Sequence, residues 1–492
     1  MTGQSLSKFS TVAVLTAAHI IAAAQAPVGV PASEPVAPKL HHAFTVPGGA
    51  AMGPLKCNVV QKGPAPEVRP SDAGPAPAGS EEEELPLTDQ QEQELRRQLP
   101  PIPTAEEIRK GMPHEEWMRL MHQKLKDASQ TRIARIGIWG GSHMAAEFFV
   151  SELRRQFQGR FGAGGAGHVN LLYGLPGIRL PVNALCRQGK WHHELAPRAP
   201  GAPAGATGLG LFALSSREAG ASIEIDPGNP ALGATVHTVT VHYLRQPEGG
   251  LLDVLVDGVL AEAIDTSGPS AVASVQINGV KSISRVKLIA HGSEPVTLLG
   301  AFADGEKGVV LDNFGIAGAS GNYWANVRTD LLRHASGQRP YDMVMLAYGT
   351  NDVTGANWDP ADYRRRFEAT IESMRQVLPQ AQCVLITPGD RASSFKARSV
   401  VKGKDGKSRR VVQTLYDLKT FPQRHKEAAQ IQREVGNRYQ CMTWDMSLEM
   451  RKAGGAYQLM KKNPPWMARD LIHLTPLGYQ EMAKALIQWL RI

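Results

Sequence analysis

From residue 131 to the C-terminus, short apolar runs alternate with stretches of helical period, and this alternation constrains the fold of the 492-residue chain most. Strands are predicted at Ala134–Trp139, Val309–Asp312, Met343–Tyr348, Cys383–Thr387 and Tyr439–Asp445, with helices near 143–158, 324–335, 361–378 and 423–436. In the first helix Ala146, Phe149, Val150, Leu153 and Phe157 make one stripe, and Gly159 is a stop signal. A last helix starts at Thr475-Pro476, as N-cap and first helical residue, and turns Tyr479, Met482, Leu486 and Leu490 to the core. Strands separated by helices imply an α/β architecture, a parallel sheet covered on both faces.

One stretch breaks the pattern. Residues 203–307 show no helical period, and strand-like runs recur instead: Ser222–Ile225, Thr235–Leu244, Leu251–Val256, Val272–Ile277, Arg285–Ile289 and Val296–Phe302. Turn signals such as Pro227-Gly228, Asp257-Gly258 and Asn278-Gly279 separate them. An all-β sandwich inserted at 203–307 is expected, dividing the α/β domain into 104–202 and 308–492.

Composition matters most before residue 104. Fifteen of the 34 prolines lie between Pro27 and Pro103, and Glu81–Glu84 form an acidic run, so 27–103 is expected to be a disordered linker. Ahead of it, Lys8, the apolar stretch Val12–Ala24 and Ala22-Ala23-Ala24 as cleavage region suggest a signal peptide over 1–26. Folding is expected to begin at the capping box of Thr104 and Glu107. No other apolar run approaches the roughly 18 residues of a membrane span, so no stable membrane insertion of the mature chain is expected. The net charge of +8 suits an anionic polymer but resembles no nucleic-acid arm. Cys57, Cys186, Cys383 and Cys441 show no CxxC pair or metal-ligand spacing. Cys383 and Cys441 sit in apolar runs and are expected as buried free thiols, with no disulfide framework holding the fold.

Ligands of parallel sheets bind beyond the carboxyl ends of the strands. After the first strand comes Gly140-Gly141-Ser142-His143, and after the second Asn313-Phe314-Gly315-Ile316-Ala317-Gly318. Gly349-Thr350-Asn351-Asp352 follows the third, and Asp470-Leu471-Ile472-His473 precedes the last helix. Each block alone is ordinary turn chemistry; the ordered set is chemically complete. Ser142 is the candidate nucleophile, His473 its base, and Asp470, three residues away, the group that orients the imidazole. The backbone N–H groups of Ser142 and Gly318 and the Asn351 amide are candidate oxyanion donors.

This order of blocks resembles the SGNH (GDSL-like) serine hydrolases, in which Ser142, Gly318, Asn351 and His473 would take the four eponymous roles and Asp470 would complete the triad. The resemblance implies a flavodoxin-like sheet. Within the superfamily, Gly-x-Ser-His followed by a helix ending Arg160-Phe161-Gly162-Ala163-Gly164-Gly165-Ala166-Gly167 is similar to bacterial peptidoglycan O-acetylesterases, which carry a carbohydrate-binding-like β-sandwich at the corresponding point. The family's first block normally has Asp before the serine; Gly141 stands there in this chain.

The implied activity is that of an exported, periplasmic or secreted serine esterase removing acetyl groups from a cell-envelope polysaccharide, most directly O-acetylated peptidoglycan, with no nucleic acid as partner. A polysaccharide O-acetyltransferase would use the same triad, and a non-catalytic glycan-binding protein would rely on the β insert; both readings stay open at this point. His192-His193 and Glu194 suggest a metal, but no further histidine has ligand spacing, so no metal or organic cofactor is expected. Lys396–Arg410 holds seven basic residues and one acid, as a surface loop or a basic lid over an anionic polymer. Trp466 is a candidate wall of the acyl pocket or a packed aromatic, and His143 a candidate pocket residue.

Overall fold

In a computed structural model the elements run in chain order as follows. The structure describes residues 41–46, 55, 57, 83–104, 106–107, 114–199, 202, 204–229, 233, 235–402, 404 and 407–492. First come β1 (His41–Val46), β2 (Glu83–Leu85), α1 (Asp89–Gln98), α2 (Glu115–Thr131), β3 (Ile133–Gly140), α3 (Ser142–Ala145) and α4 (Phe148–Phe161). Eleven strands follow: β4 (Gly165–Val169), β5 (Ala184–Gln188), β6 (His192–Leu195), β7 (Phe212–Ser216), β8 (Ser222–Asp226), β9 (Thr238–Arg245), β10 (Leu251–Val256), β11 (Val259–Asp265), β12 (Ala271–Gly279), β13 (Val286–His291) and β14 (Val296–Asp304). Then come β15 (Gly308–Gly315), α5 (Asn322–Ala325), α6 (Thr329–Gln338), β16 (Met343–Ala347), α7 (Pro360–Val377), β17 (Gln382–Ile386), β18 (Ser393–Lys402) and β19 (Ser408–Asp417). The chain ends with α8 (Thr420–Arg438), β20 (Cys441–Trp444), α9 (Met446–Lys452), α10 (Gly455–Lys461) and α11 (Pro476–Trp489).

The central sheet is parallel, in the order β15-β3-β16-β17-β20. Numbered along the chain that is 2-1-3-4-5, the flavodoxin-like order, and its topological switch point lies between β3 and β16. Alternating side chains go to opposite faces. Ile136, Ile138, Met343, Met345, Val384 and Ile386 pack with α2, α4 and α11, whereas Trp139, Val344, Leu346 and Leu385 pack with α6, α7 and α8. Burial on both faces explains why these strands read as continuous apolar runs.

The β-rich stretch forms two sheets, β1-β12-β9-β14-β7-β6, with β4 also on β14, and β11-β10-β13-β8-β5. Side chains of both, among them Val241, Val275, Leu298, Ile223, Val254 and Leu288, share one core. β4, β5 and β6 lie before residue 203, so these sheets draw on chain outside the stretch that composition marks. Strands of four or five residues, one of them glycine-rich, show too few alternations to be seen by period.

Three further expectations need correction. Residues 27–103 are not all linker: β1 extends β12 in parallel register, β2 pairs with β19, and α1 opens with its own Thr88–Gln91 capping box. Proline density averaged over the stretch hides these short proline-free segments; the expected signal peptide lies outside the described residues. Secondly, Cys383 and Cys441 are partners in the β17–β20 register and form a disulfide, and Cys57 is bonded to Cys186. No described cysteine is free, because strand pairing brings together residues whose sequence separation carries no such signal. Thirdly, the helix expected over 143–158 breaks at Glu147, which has φ +64°, and ends at Gly162 rather than Gly159. The Thr104–Glu107 capping box is present, with Glu107 N donating to Thr104 Oγ1 at 3.2 Å.

Candidate active site

The turn after β3 delivers Ser142 as the first residue of α3, beside the switch point of the central sheet. Asn313 on β15 holds this short helix from below: its Nδ2 donates to the Met144 carbonyl at 2.8 Å and to Glu147 Oε1 at 3.0 Å. Glu147 in turn pairs with buried Arg154 at 3.0 Å, which accounts for the break in the helix. Sequence reading missed Asn313 as a support because it lies within the second block without a recognisable motif.

The structure brings Ser142, His473 and Asp470 into one chain of hydrogen bonds. Ser142 Oγ lies 2.9 Å from His473 Nε2, and His473 Nδ1 lies 2.7 Å from Asp470 Oδ2. Asp470 Oδ1 also accepts the backbone N–H groups of Ile472 and His473, each at 3.0 Å. Burial pushes the Asp470 carboxyl up, but these hydrogen bonds outweigh it and hold the pKa below the usual carboxylate value. An ionised Asp470 accepts from Nδ1–H, which leaves Nε2 free to accept from the serine hydroxyl.

The Gly318–Ala319 turn and Asn351 meet beside Gly141, the residue before the serine. The Asn351 amide donates to the Ala319 carbonyl at 2.8 Å and lies 2.9 Å from the place a Cβ on Gly141 would take. Gly141 therefore has a steric reason: an acidic side chain there would displace Asn351. Gly318 adopts φ +76°, a conformation that favours glycine. Neither Ser142 N–H nor Gly318 N–H has an acceptor among the described residues, so both can serve an incoming oxygen. Asp352 joins the two loops by accepting Gly321 N–H at 3.2 Å and Gly349 N–H at 3.0 Å, and burial raises its pKa to about 6.

His143 packs its ring 5.5 Å from that of His473 and shares a 2.9 Å hydrogen bond with Tyr479. Burial, then the neighbouring His473, lowers its pKa to about 3, so it stays neutral and adds no charge beside the base. Trp466 packs against the core under Lys462, whose Nζ sits 3.5 Å from the ring centroid. His192, His193 and Glu194 are exposed on β6, and no group of metal-ligating side chains exists among the described residues. The Lys396–Arg410 segment is a twisted pair of strands, β18 and β19, joined in antiparallel register from Ser393–Asp417 to Lys402–Ser408. It springs from the site's rim: Ala392 N–H donates to the Leu471 carbonyl at 3.0 Å, next to Asp470.

Residues 292–481 match the model of the GDSL-like lipase/acylhydrolase family. That span holds Gly318, Asn351, Asp470 and His473 but not Ser142, which the β-rich stretch separates from them. Among solved structures, a peptidoglycan O-acetylesterase aligns with TM-score 0.57 and 23% identity, over 76% of this chain and 95% of that one. A family two carbohydrate esterase from Cellvibrio japonicus aligns with TM-score 0.23 and 12% identity, over 61% and 98%. No curated protein matches this chain. The family match marks residues 292–481 as a GDSL-like lipase/acylhydrolase domain, and the solved-structure likeness shows the fold, an SGNH-type α/β fold.

Proposed function

We propose that this chain, an acylhydrolase built around a GDSL-like lipase/acylhydrolase domain, is an exported esterase that removes O-acetyl groups from a cell-envelope polysaccharide, namely peptidoglycan. The observation that carries the reading is the hydrogen-bonded line from Ser142 Oγ through His473 to Asp470, set beside unpartnered backbone donors. Ser142 Oγ attacks the acetyl carbonyl carbon as His473 Nε2 takes the hydroxyl proton. The oxyanion is held by Ser142 N–H, Gly318 N–H and the Asn351 amide; one such donor is typically worth about 2.7–4 kcal/mol. As the C–O bond to the sugar breaks, His473 returns the proton to the departing hydroxyl. A water molecule, deprotonated by His473, then releases acetate and regenerates the serine. Asp470 keeps the imidazole in its tautomer and balances its charge. No step requires a metal or an organic cofactor.

Two disulfides and no free cysteine among the described residues support folding in an oxidising compartment, in line with export. Among the described residues no helix is long and apolar enough to cross a membrane. The likeness to a peptidoglycan O-acetylesterase and the basic β18–β19 hairpin beside the site support an anionic wall polymer as substrate. The test is acetate release from O-acetylated peptidoglycan and from acetylated xylan, with turnover of p-nitrophenyl acetate as a common reference. Faster release from peptidoglycan, abolished in Ser142→Ala, is the expected result. Preference for xylan would overturn the substrate, and a fully active Ser142→Ala would overturn the mechanism. Transfer of acetyl to a glycan acceptor rather than to water would make the chain an acetyltransferase.

A further inference from the structure

Two hydrogen bonds, and no others among the described residues, join residues 141–148, around Ser142, to residues 466–482, around His473. One is the contact of Ser142 Oγ with His473 Nε2 at 2.9 Å. The other starts from the next residue: His143 Nδ1 lies 2.9 Å from the hydroxyl of Tyr479, in the first turn of α11. The two bridges run side by side, with the His143 and His473 rings 5.5 Å apart between centroids.

Both segments need such a tie. α3 has only four residues, and Asp470–His473 is a turn in which Leu471 adopts φ +58°. Asn313 holds α3 from β15, and Ala392 N–H holds Leu471, but each of these bonds fixes one segment without reaching the other.

Tyr479 is placed to join them. Its side chain is buried, and its ring stacks on that of Phe148, the first residue of α4, at 6.3 Å between centroids. The hydroxyl takes a hydrogen bond from the backbone of Leu474, the residue after His473, so its own proton is available to His143. Burial lowers the His143 pKa to about 3, with His473, His425 and Arg391 adding to the shift and Asp470 opposing it. The imidazole is therefore neutral and has one acceptor nitrogen; Nδ1, which faces the hydroxyl, is that acceptor. A line of hydrogen bonds thus runs from the residue after His473, through Tyr479, to the residue after Ser142.

We propose that His143 and Tyr479 are positioning residues, whose hydrogen bond sets the approach of His473 Nε2 to Ser142 Oγ. This rests on the esterase reading above and deepens it, since it names what holds nucleophile and base in register. Neither side chain makes or breaks a bond in the reaction. A misplacement of about 1 Å at reacting atoms costs about 10²-fold in rate, so a tie one residue away from each of them acts on turnover rather than on substrate binding.

The experiment reads turnover of p-nitrophenyl acetate and, independently, the rate at which a fluorophosphonate labels Ser142. Tyr479→Phe keeps the ring and removes the hydroxyl; kcat and the labelling rate should each fall about 10-fold, with KM within about twofold of wild type. His143→Asn, whose Oδ1 replaces Nδ1 as acceptor, should keep most of the rate, whereas His143→Leu should lose as much as Tyr479→Phe. The double variant Tyr479→Phe/His143→Leu should be no slower than either single one, because both remove the same bond. Unchanged kcat in Tyr479→Phe would overturn the proposal, and so would a change confined to KM, which marks a wall of the substrate pocket. Equal losses in His143→Asn and His143→Leu would also overturn it, since a packing role predicts that pattern. Where Tyr479→Phe folds poorly, the ratio of the two His143 variants carries the test. A wild type that labels at Ser142 but hydrolyses no ester removes the esterase reading, and the labelling rates then decide the positioning role. If it neither labels nor hydrolyses, both fall.

Discussion

Around Arg339 every guanidinium nitrogen meets a carboxylate, whereas around Ser142 strong donors are left without partners. Arg339 Nε donates to Asp312 at 2.6 Å, and its Nη atoms donate to Asp304 at 2.8 and 2.9 Å. The Tyr341 hydroxyl donates to Asp312 at 2.6 Å, and Arg135 adds a bond to Asp304 at 3.1 Å. This cluster ties β14 to β15 and to the end of α6, away from solvent. Burial alone would raise the Asp304 carboxyl, but Arg339 and Arg135 hold it below the usual range. The Ser142 region uses the same kinds of groups and stops short of closure. Ser142 N–H and Gly318 N–H wait for an acceptor. A completed buried network is a structural joint; an incomplete one at the carboxyl ends of parallel strands is a binding site.

Variants on the two sides should separate cleanly. Ser142→Ala should lower turnover of p-nitrophenyl acetate by about 10⁴-fold or more while the thermal midpoint stays within a few degrees of wild type. Arg339→Met should do the reverse, costing about 3–5 kcal/mol in chemical denaturation by leaving Asp304 and Asp312 buried without their counter-charge. If that variant is as stable as wild type, the cluster is not the joint it resembles. Asn351→Ala should lower kcat about 10²–10³-fold with little loss of stability, and Gly141→Ala should follow it in the same direction, because its Cβ competes with the Asn351 amide. Full activity in Gly141→Ala would show that Asn351 moves without cost.

Asp352 supplies a pH test. Its folded pKa of about 6 lies above the unfolded value, so its contribution to stability is fully present at low pH and is lost as pH rises through about 6. Wild type should therefore lose about 1–2 kcal/mol relative to Asp352→Asn between pH 4 and 6, read from denaturation midpoints; because Asp352 is partly exposed, this figure is already discounted for solvent. A difference that grows in the opposite direction would contradict the burial argument. Arg391→Met should change stability by no more than about 1 kcal/mol, since it loses the stacking on Phe421 and the attraction of Asp470 but sheds the desolvation of a half-buried guanidinium. A loss as large as that of Arg339→Met would make Arg391 structural.

Much of the central fold is visible in the residues. The five strand runs, the helix stripes and the Thr475-Pro476 start have counterparts in β3, β15, β16, β17, β20 and α11, because each depends on local periodicity or capping. Near the site, the four blocks stand out because glycine, asparagine and serine mark turns at the ends of apolar strands. What escaped notice depends on partners far along the chain. Asn313 matters through Met144, Glu147 through Asn313, and Cys383 through Cys441 across a strand pair. β1, β2 and α1 are short segments that become regular by docking on β12, β19 and their surroundings. Their own composition resembles linker.

The amino-acid sequence by itself determined the alternation that builds a parallel sheet and the residues that stand at its carboxyl ends. Hydrophobic period and turn chemistry are local, so they survive in the bare order of residues. Only the tertiary structure decided which cysteines pair, why a side chain at Gly141 would crowd Asn351, and which charged groups are satisfied. Those are matters of distance between segments from about thirty to more than two hundred residues apart, set by strand register and packing rather than by any local preference.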